Sequence, residues 1–506
     1  MSGFLNKAFK LEENGTNVKT ELFAGLTTFM TMVYILMVNA GMFAELGVVS
    51  YGAIYIATAV SAIVGTVLIG LMSGLPLAQA SGMGLNAFFV YTCCFSFKLS
   101  YANALVLVLL DGIIFVLLTV TGLRKQIFKA IPDAVKVAIP AGIGLFIAFI
   151  GLQNAGIVVG DSATLVNLVS LNFLGSATWA SVMPILVTFA SIIAIAVLSV
   201  KNVRGSILWG IIGGALLYYL LGLTVPGFYD PSAITLIKDD AGVITGATSN
   251  YFLGISQVVE DGVVTGYVAN AFNWNPFTAF ADFGTQAVGK VFTEGFDFSA
   301  FLAIEGNNTG SLILVVITSA IAFCMVDMFD TIGTLYGACA RGNLLDENGE
   351  VPNMSKAMLA DAIATCTGAM LGTSTVTTFV ESSAGVAAGG KTGLTSIFVA
   401  LFFFVAMFLS PIAQLIPSCA TAAALVYVGV LMMNCVVKID WLDPSVALPA
   451  FVTVAIMPLT YNISYGIGLG LITYVLVKLF SGKWKEINLV TVIIGLMFAV
   501  MFFLTH

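Results

Sequence analysis

The sequence predicts an all-α polytopic membrane protein of about fourteen transmembrane segments, built as a seven-plus-seven inverted repeat with two broken segments. Three observations predict it. Of 506 residues, 59% are hydrophobic and 9% charged, against about a quarter charged in a soluble domain. The apolar residues run in blocks of roughly 17–25, the length that crosses a hydrocarbon core of about 30 Å. Finally, seven such blocks precede a long polar segment and seven more follow it.

In chain order the first set spans 22–44, 51–73, 77–96, 101–121, 135–158, 181–199 and 204–226. The polar segment 227–308 follows, and then 311–338, 355–371, 372–390, 393–416, 419–436, 445–460 and 463–480. A last apolar block, 488–505, is compatible with a further span or an interfacial helix. Residues 1–20 are polar and mixed in charge, and the first block is too long for a signal-peptide core, so it is expected to stay as an anchor.

Charge placement supports this topology. With the N-terminus cytoplasmic, the inner loops hold Lys7, Lys10, Lys19, Arg124, Lys125, Lys129, Lys136, Lys201, Arg204, Arg341, Lys356, Lys391, Lys438, Lys478, Lys483 and Lys485. Only Lys98, Lys238 and Lys290 fall outside, as the positive-inside rule requires. The segment 227–308 carries nine acidic residues against two lysines and is placed outside. An odd number of spans per half turns the second half upside down. A local echo agrees: Ile131-Pro132 is followed by Ala138 and Gly144, and Ile416-Pro417 by Ala423 and Gly429 at the same offsets.

Composition also excludes several functions. Nothing resembles a basic nucleic-acid stripe, and the single histidine is the terminal His506, so metal or acid–base chemistry on histidine is not expected. The seven cysteines show no framework spacing and read as small packing residues. No metal and no cofactor are expected.

Two blocks break the rules of ordinary spans. The third, Pro76 to Phe89, places Gln79, Ser81, Gly82, Gly84 and Asn86 at mid-depth. The tenth, Gly372 to Gly390, contains a Thr375–Val380 stretch whose β-branched residues favour extended backbone. Glu381-Ser382-Ser383 then reads as the start of a half-helix, with free N–H groups aimed into a cavity. Irregular backbone at membrane depth is tolerated only where it is buried or lines a cavity. A Ser/Thr-rich packing interface is the plain alternative, but it leaves a buried Glu unexplained.

The other intramembrane acids are Asp111, Asp327, Asp330 and Asp361. Each costs roughly 2.5–3.5 kcal/mol at the membrane centre and needs a partner, a proton or a function. Asp327 and Asp330 share one helical face with Thr334 and Gly337. Two carboxylates so close disfavour joint ionisation, which suits proton coupling. Asp111 and Asp361 read as nearer helix ends and as structural.

At these residues the chain resembles the AzgA-type purine permeases, a branch of the nucleobase–ascorbate (xanthine/uracil permease) superfamily. The resemblance rests on Glu21 to Phe29 with Tyr34-Ile-Leu and Asn39, on Gly82-Met-Gly-Leu-Asn86, on Asp327-Met-Phe-Asp330-Thr-Ile-Gly, and on Gly372 through Glu381 to Lys391-Thr-Gly-Leu. It runs from about residue 5 to the end, and only 227–308 looks idiosyncratic.

The resemblance implies a core domain (22–121 and 309–416) and a gate domain (122–226 and 417–482), flanked by a cytoplasmic 1–21, the outer 227–308 and a terminal 483–506. It also implies a homodimer, elevator-type movement of core against gate, and proton-driven import of adenine, guanine or hypoxanthine; the charge bias and the lack of targeting segments suit a bacterial inner membrane. Carried onto this chain, Glu381 hydrogen-bonds the base, Asn86 and Asp327 contribute to the site, and Gly84, Phe379 and Ser382 lie on the two broken segments. Asp327, Asp330 and Glu381 are the candidates for proton coupling. Phe88, Phe89 or Phe379 are candidates to stack on the base.

The chemistry fits a flat neutral heterocycle whose N–H groups a carboxylate accepts. An anion carrier on the same fold is disfavoured by a Glu in the cavity, and a xanthine or uracil transporter by the Asp-x-x-Asp and Thr-rich motifs. An intramembrane aspartyl hydrolase would bring its acids from separate helices, and a channel would not need broken helices around a buried acid. Proton coupling is favoured over sodium.

Overall fold

A computed structural model describes residues 2–122, 131–175, 177–238, 244–260 and 263–504. Arg124, Lys125, Lys129 and His506 lie outside the described residues. Eight helices among them are long and apolar enough to cross a membrane, and shorter apolar helices alternate with these. The two broken segments fall third and tenth, as expected.

The helices match the expected spans closely, with informative differences. The first starts at Val18, because Asn17 Oδ1 accepts from Thr20 N at 3.0 Å, and it breaks at Val33 into Val18–Met32 and Tyr34–Ala44. The block 135–158 is shorter as a helix, Asp133–Asn154; a turn with Gly156 at φ +68° then leads into β2, Val158–Asp161. The block 393–416 divides into Gly393–Met407 and Ser410–Gln414, with Pro411 in the first turn of the second piece, where its missing N–H costs nothing. The last block forms the helix Leu489–Leu504, whose Phe498 and Met501 are fully buried.

The strands lie in four antiparallel pairs: β1 (Gln79–Ser81) with β8 (Val376–Thr378), β2 with β3 (Leu165–Leu168), β4 (Ile234–Lys238) with β5 (Ile244–Ser249), and β6 (Ile255–Glu260) with β7 (Val263–Ala269). The segment 227–308, expected as a loop, thus contains two hairpins and the short helices Pro276–Asp282, Lys290–Thr293 and Ser299–Leu302. Its second part is pinned. Asn103 Nδ2 donates to Gly295 O and Asp297 O at 2.8 and 2.9 Å, and Ser50 N to Gln286 Oε1 at 2.7 Å.

The chain divides into two compact units. One comprises 1–149, 277–410 and 425–506, the other 150–276 and 411–424. The smaller unit is packed around Met183, Val187, Val225, Phe228 and Cys419, with Thr188 Oγ1 donating to Cys419 O at 2.9 Å. All seven cysteines are free.

In the larger unit glycines let helices touch backbone to backbone. A Cβ on Gly144 would stand 2.7 Å from Gly429 O, and one on Gly429 2.4 Å from Gly144 O. These are the equivalent glycines of the sequence echo, and they touch each other, as equivalent residues do where they lie at a two-fold axis between halves. A Cβ on Gly393 would stand 2.0 Å from Gly70 O. Overpacking costs about 1–3 kcal/mol even where side chains can yield, and a backbone oxygen cannot. Gly393→Ala is therefore expected to reduce the monodisperse fraction on size exclusion. Gly41→Ala, with no neighbour within 4 Å of the added carbon, leaves it unchanged.

Candidate functional site

The site is assembled where the two broken segments pair. β1 and β8 run antiparallel in register Gln79–Thr378, Ala80–Thr377 and Ser81–Val376. Gly82 N donates to Thr375 O at 2.9 Å and Phe379 N to Ala78 O at 3.0 Å, extending the ladder at both ends. Each strand then turns into a short helix, Met83–Ala87 and Ser382–Ala387. Pairing the strands satisfies backbone groups that a lipid-facing strand would leave bare. Ser382 is spent on this frame: its Oγ accepts from Ala78 N at 3.0 Å.

Around the pair lies a cavity lined by Tyr34, Gly82, Met83, Gly84, Asp330, Thr378, Phe379, Val380, Glu381, Val428 and Met432. It widens into a vestibule of about 470 Å³ that shares Asp330, Val380, Glu381, Val428 and Met432 and adds Gly333, Thr334, Arg341, Ser383 and Asn434. Glu381 and Asp330 are half-buried and face this space. Tyr34 is fully buried, and its hydroxyl donates to Glu381 Oε1 at 2.7 Å. Thr377 Oγ1 donates to Asp330 Oδ2 at 3.3 Å. One wall therefore presents two carboxylates, each held by one hydroxyl, and Phe379 closes an apolar side.

Of the residues expected at the site, Glu381, Asp330, Gly84 and Phe379 line the cavity. Asn86 and Asp327 do not. The Asn86 Oδ1 accepts from Ser81 Oγ at 2.6 Å, so its amide braces the turn from β1 into the half-helix. Asp327 lies one turn deeper than Asp330, fully buried, with Thr365 Oγ1 at 3.4 Å from its Oδ2.

Phe88 and Phe89 face away from the cavity. Phe88 packs on Phe323 with centroids at 4.6 Å, and Phe89 on Phe43 at 4.8 Å, which corrects their expected stacking role. The N–H groups expected to be free at Glu381 are also taken. Ser382 N, Ser383 N and Ala384 N donate to Phe379 O, Val380 O and Glu381 O in a tight turn. Amides at the other helix start, beside Met83 and Gly84, remain the ones without a helical partner on the cavity wall.

A second correction concerns Asp111 and Asp361. Both lie in the middle of their helices, Tyr101–Val120 and Met354–Leu371, and both are fully buried. Asp361 Oδ1 accepts from Gln79 Nε2 at 2.7 Å and from Thr378 Oγ1 at 3.1 Å, and Thr331 Oγ1 lies 2.8 Å from Oδ2.

The residues not expected are Tyr34 and Thr378. A lone tyrosine within an apolar first span was the available signal for one, and the alternation of β8 for the other. A hydrogen bond to a charged acceptor is worth about 1.5–3 kcal/mol, so Tyr34→Phe is expected to weaken substrate binding about tenfold or more. Equilibrium binding of labelled base to purified protein measures this.

Broken helices from two inverted halves, meeting around a polar cavity in a bundle of apolar helices, define a multi-pass membrane transporter. A family model described as Permease family, of the xanthine/uracil type, matches residues 19–236 and 283–469, and the chain belongs to that family. Putative permease MJ0326 of Methanocaldococcus jannaschii is 38% identical, over 99% of this chain and 98% of that one. Guanine/hypoxanthine permease PbuO of Bacillus subtilis is 37% identical over 98% and 100%, and adenine permease AdeQ of Escherichia coli 32% identical over 98% and 96%. The transmembrane domain of the cyanobacterium bicarbonate transporter BicA shares the fold, with TM-score 0.58 at 14% identity over 89% of this chain and 97% of that one. The protein is a permease and not an enzyme.

Proposed function

We propose that this permease imports purine nucleobases (adenine, guanine or hypoxanthine) by proton symport. The observation that carries the reading is the cavity wall of Tyr34, Glu381 and Asp330 between the two half-helices. Carboxylates accept from the ring and exocyclic N–H groups of a base, and the Met83–Gly84 helix start offers donors to a ring nitrogen or carbonyl. The relatives named as adenine and guanine/hypoxanthine permeases support the substrate class. Two acids on the wall disfavour an anion, despite the shared fold with a bicarbonate transporter.

The proton rides on carboxylates among Asp327, Asp330 and Glu381. Transport proceeds by elevator-type movement of a core (22–121 and 309–416) against a gate (122–226 and 417–482), in a homodimer of the inner membrane. With the N-terminus cytoplasmic, the vestibule mouth at Arg341 and Asn434 faces inward, the side on which an imported base is released.

The test is uptake of labelled adenine, guanine, hypoxanthine, xanthine and uracil by cells lacking their own permeases, with and without a protonophore. Purine accumulation that collapses with the protonophore supports the proposal. Accumulation of none, or only of uracil or xanthine, overturns it.

A further inference from the structure

At the vestibule mouth stands a cation that, among the described residues, forms no ion pair with an acid. Arg341 closes the helix Thr309–Arg341, is exposed, and lines the vestibule with Thr334, Ser383 and Asn434. Its Nη1 donates to Ser383 Oγ at 3.5 Å. A guanidinium carries five N–H donors in a planar fork that matches the oxygens of a phosphate. One contact to a serine leaves most of that fork unused.

The acids and this cation stand at opposite ends of one wall. Asp330, Gly333, Thr334 and Arg341 share a face of their helix and all line the vestibule. The eleven residues from Asp330 to Arg341 rise about 16 Å, and the Arg side chain, tilted toward the helix N-terminus, takes up part of that span. The half-helix repeats the arrangement: Glu381 meets the cavity, and Ser383, two residues on, meets the guanidinium. The space of about 470 Å³ falls within the roughly 300–1,000 Å³ that holds a drug-sized ligand. A bare base held by Glu381 and Asp330 leaves the end at Arg341 unfilled.

From this geometry we infer that the vestibule binds a purine nucleoside monophosphate, base against Glu381 and Asp330 and phosphate on Arg341, and that the bound nucleotide blocks transport from the cytoplasmic side. The inference rests on the reading of the cavity as an inward-facing purine site. A nucleotide carries its sugar on one ring nitrogen and keeps the amine or N–H on the far edge of the base for the carboxylates. Its phosphate offers Arg341 oxygens for two parallel N–H···O bonds, with Ser383 and Asn434 beside it on the lining. The two acids repel that phosphate only weakly, because Arg341 is exposed to solvent and charges there are screened over about 8 Å.

A ligand anchored at both ends fills the space that must close around a base before the base can move, so it inhibits without being carried. Phosphoribosyl transfer, the class of reaction that turns a base into its nucleotide, consumes the cargo and makes the inhibitor. Import is thereby slowed when its product accumulates. A plain cytoplasmic anchor accounts for an arginine at a helix end, but not for its place on the same wall as the two acids. Inorganic phosphate or an acidic lipid headgroup would meet Arg341 alone and leave those acids uninvolved.

The experiment measures displacement of labelled adenine, guanine and hypoxanthine from the purified full chain, in detergent free of acidic lipid. The competitors are the matching 5′-monophosphates, the matching nucleosides and inorganic phosphate. A monophosphate is expected to compete about tenfold or more better than its nucleoside, and inorganic phosphate not at all. Arg341→Gln is expected to erase that preference, whatever it does to the base alone. Arg341→Lys keeps the charge but loses the fork and is expected to shrink the preference; it decides the matter if Arg341→Gln does not fold. In right-side-out membrane vesicles, monophosphate enclosed in the lumen is expected to slow uptake of labelled base, and monophosphate outside to leave it unchanged. Equal competition by monophosphate and nucleoside overturns the inference and leaves the purine site standing, as does a preference unchanged in the variants. Displacement by inorganic phosphate, or inhibition only from outside, also overturns it. If none of the three bases binds, the purine reading itself fails, and the inference with it.

Discussion

Glu381→Gln is expected to abolish uptake while leaving a folded protein in the membrane. Glu381 stands at the turn from β8 into its half-helix, where its carboxylate meets the cavity and accepts from Tyr34 at 2.7 Å. The amide replaces one acceptor oxygen with an NH₂ donor. A buried site built around a specific hydrogen bond rejects a mismatched partner by about 10⁴–10⁵-fold, so residual transport is expected to be undetectable. Folding does not depend on the charge, because the backbone of the turn is held by Ser382 N, Ser383 N and Ala384 N, and the side chain is only half-buried. Uptake in cells together with size exclusion of the purified variant separates the two effects. Full uptake would remove Glu381 from the site.

Glu21→Ala is expected to cause the largest loss of stability. The Glu21 side chain is fully buried and collects six donors: Thr16 Oγ1 and Lys391 N on Oε1, and the N and Oγ1 of both Thr392 and Thr395 on Oε2, at 2.5–3.3 Å. It thereby fastens the helix Val18–Met32 to the loop and first turn that begin Gly393–Met407. Alanine leaves the backbone N–H groups of Lys391 and Thr392 without an acceptor, and strips the Thr392 and Thr395 hydroxyls of their carboxylate acceptor, while Thr395 N keeps Thr392 O at 3.1 Å. Each costs about 1–3 kcal/mol, so the sum is a large share of the roughly 5–15 kcal/mol that holds a typical protein folded. Thermal unfolding followed by fluorescence-detected size exclusion is the measurement. The surface-paired Glu13, 69% exposed, serves as the control: Glu13→Ala is expected to change nothing.

Much of this molecule is written locally in the chain. Apolar blocks of membrane-crossing length find the spans, and Thr375–Val380 announces its strand through β-branching alone. What remained hidden depends on partners far away. Asp361 looks unremarkable on its helix until Gln79, 282 residues earlier, and Thr331 are folded against it. Tyr34 reads as one more apolar residue because its acceptor lies 347 residues on. The two hairpins between Ile234 and Ala269 did carry a strand signal in their Val, Ile and Thr residues. The acidic residues of this segment place it outside the membrane and say nothing of its fold.

The β1–β8 ladder has a consequence for biosynthesis. Its strands are separated by about 300 residues, as the Gln79–Thr378 contact shows, and neither half can satisfy its broken segment alone. At a synthesis rate of about 5–20 residues per second, β1 waits roughly 15–60 s for its partner to leave the ribosome. During that interval the newborn first half holds unpaired N–H and C=O groups at membrane depth, which water, lipid headgroups or the insertion machinery must shelter. A chain truncated before residue 376 would carry that wound permanently, and quality-control proteases would have an unpaired strand by which to recognise it.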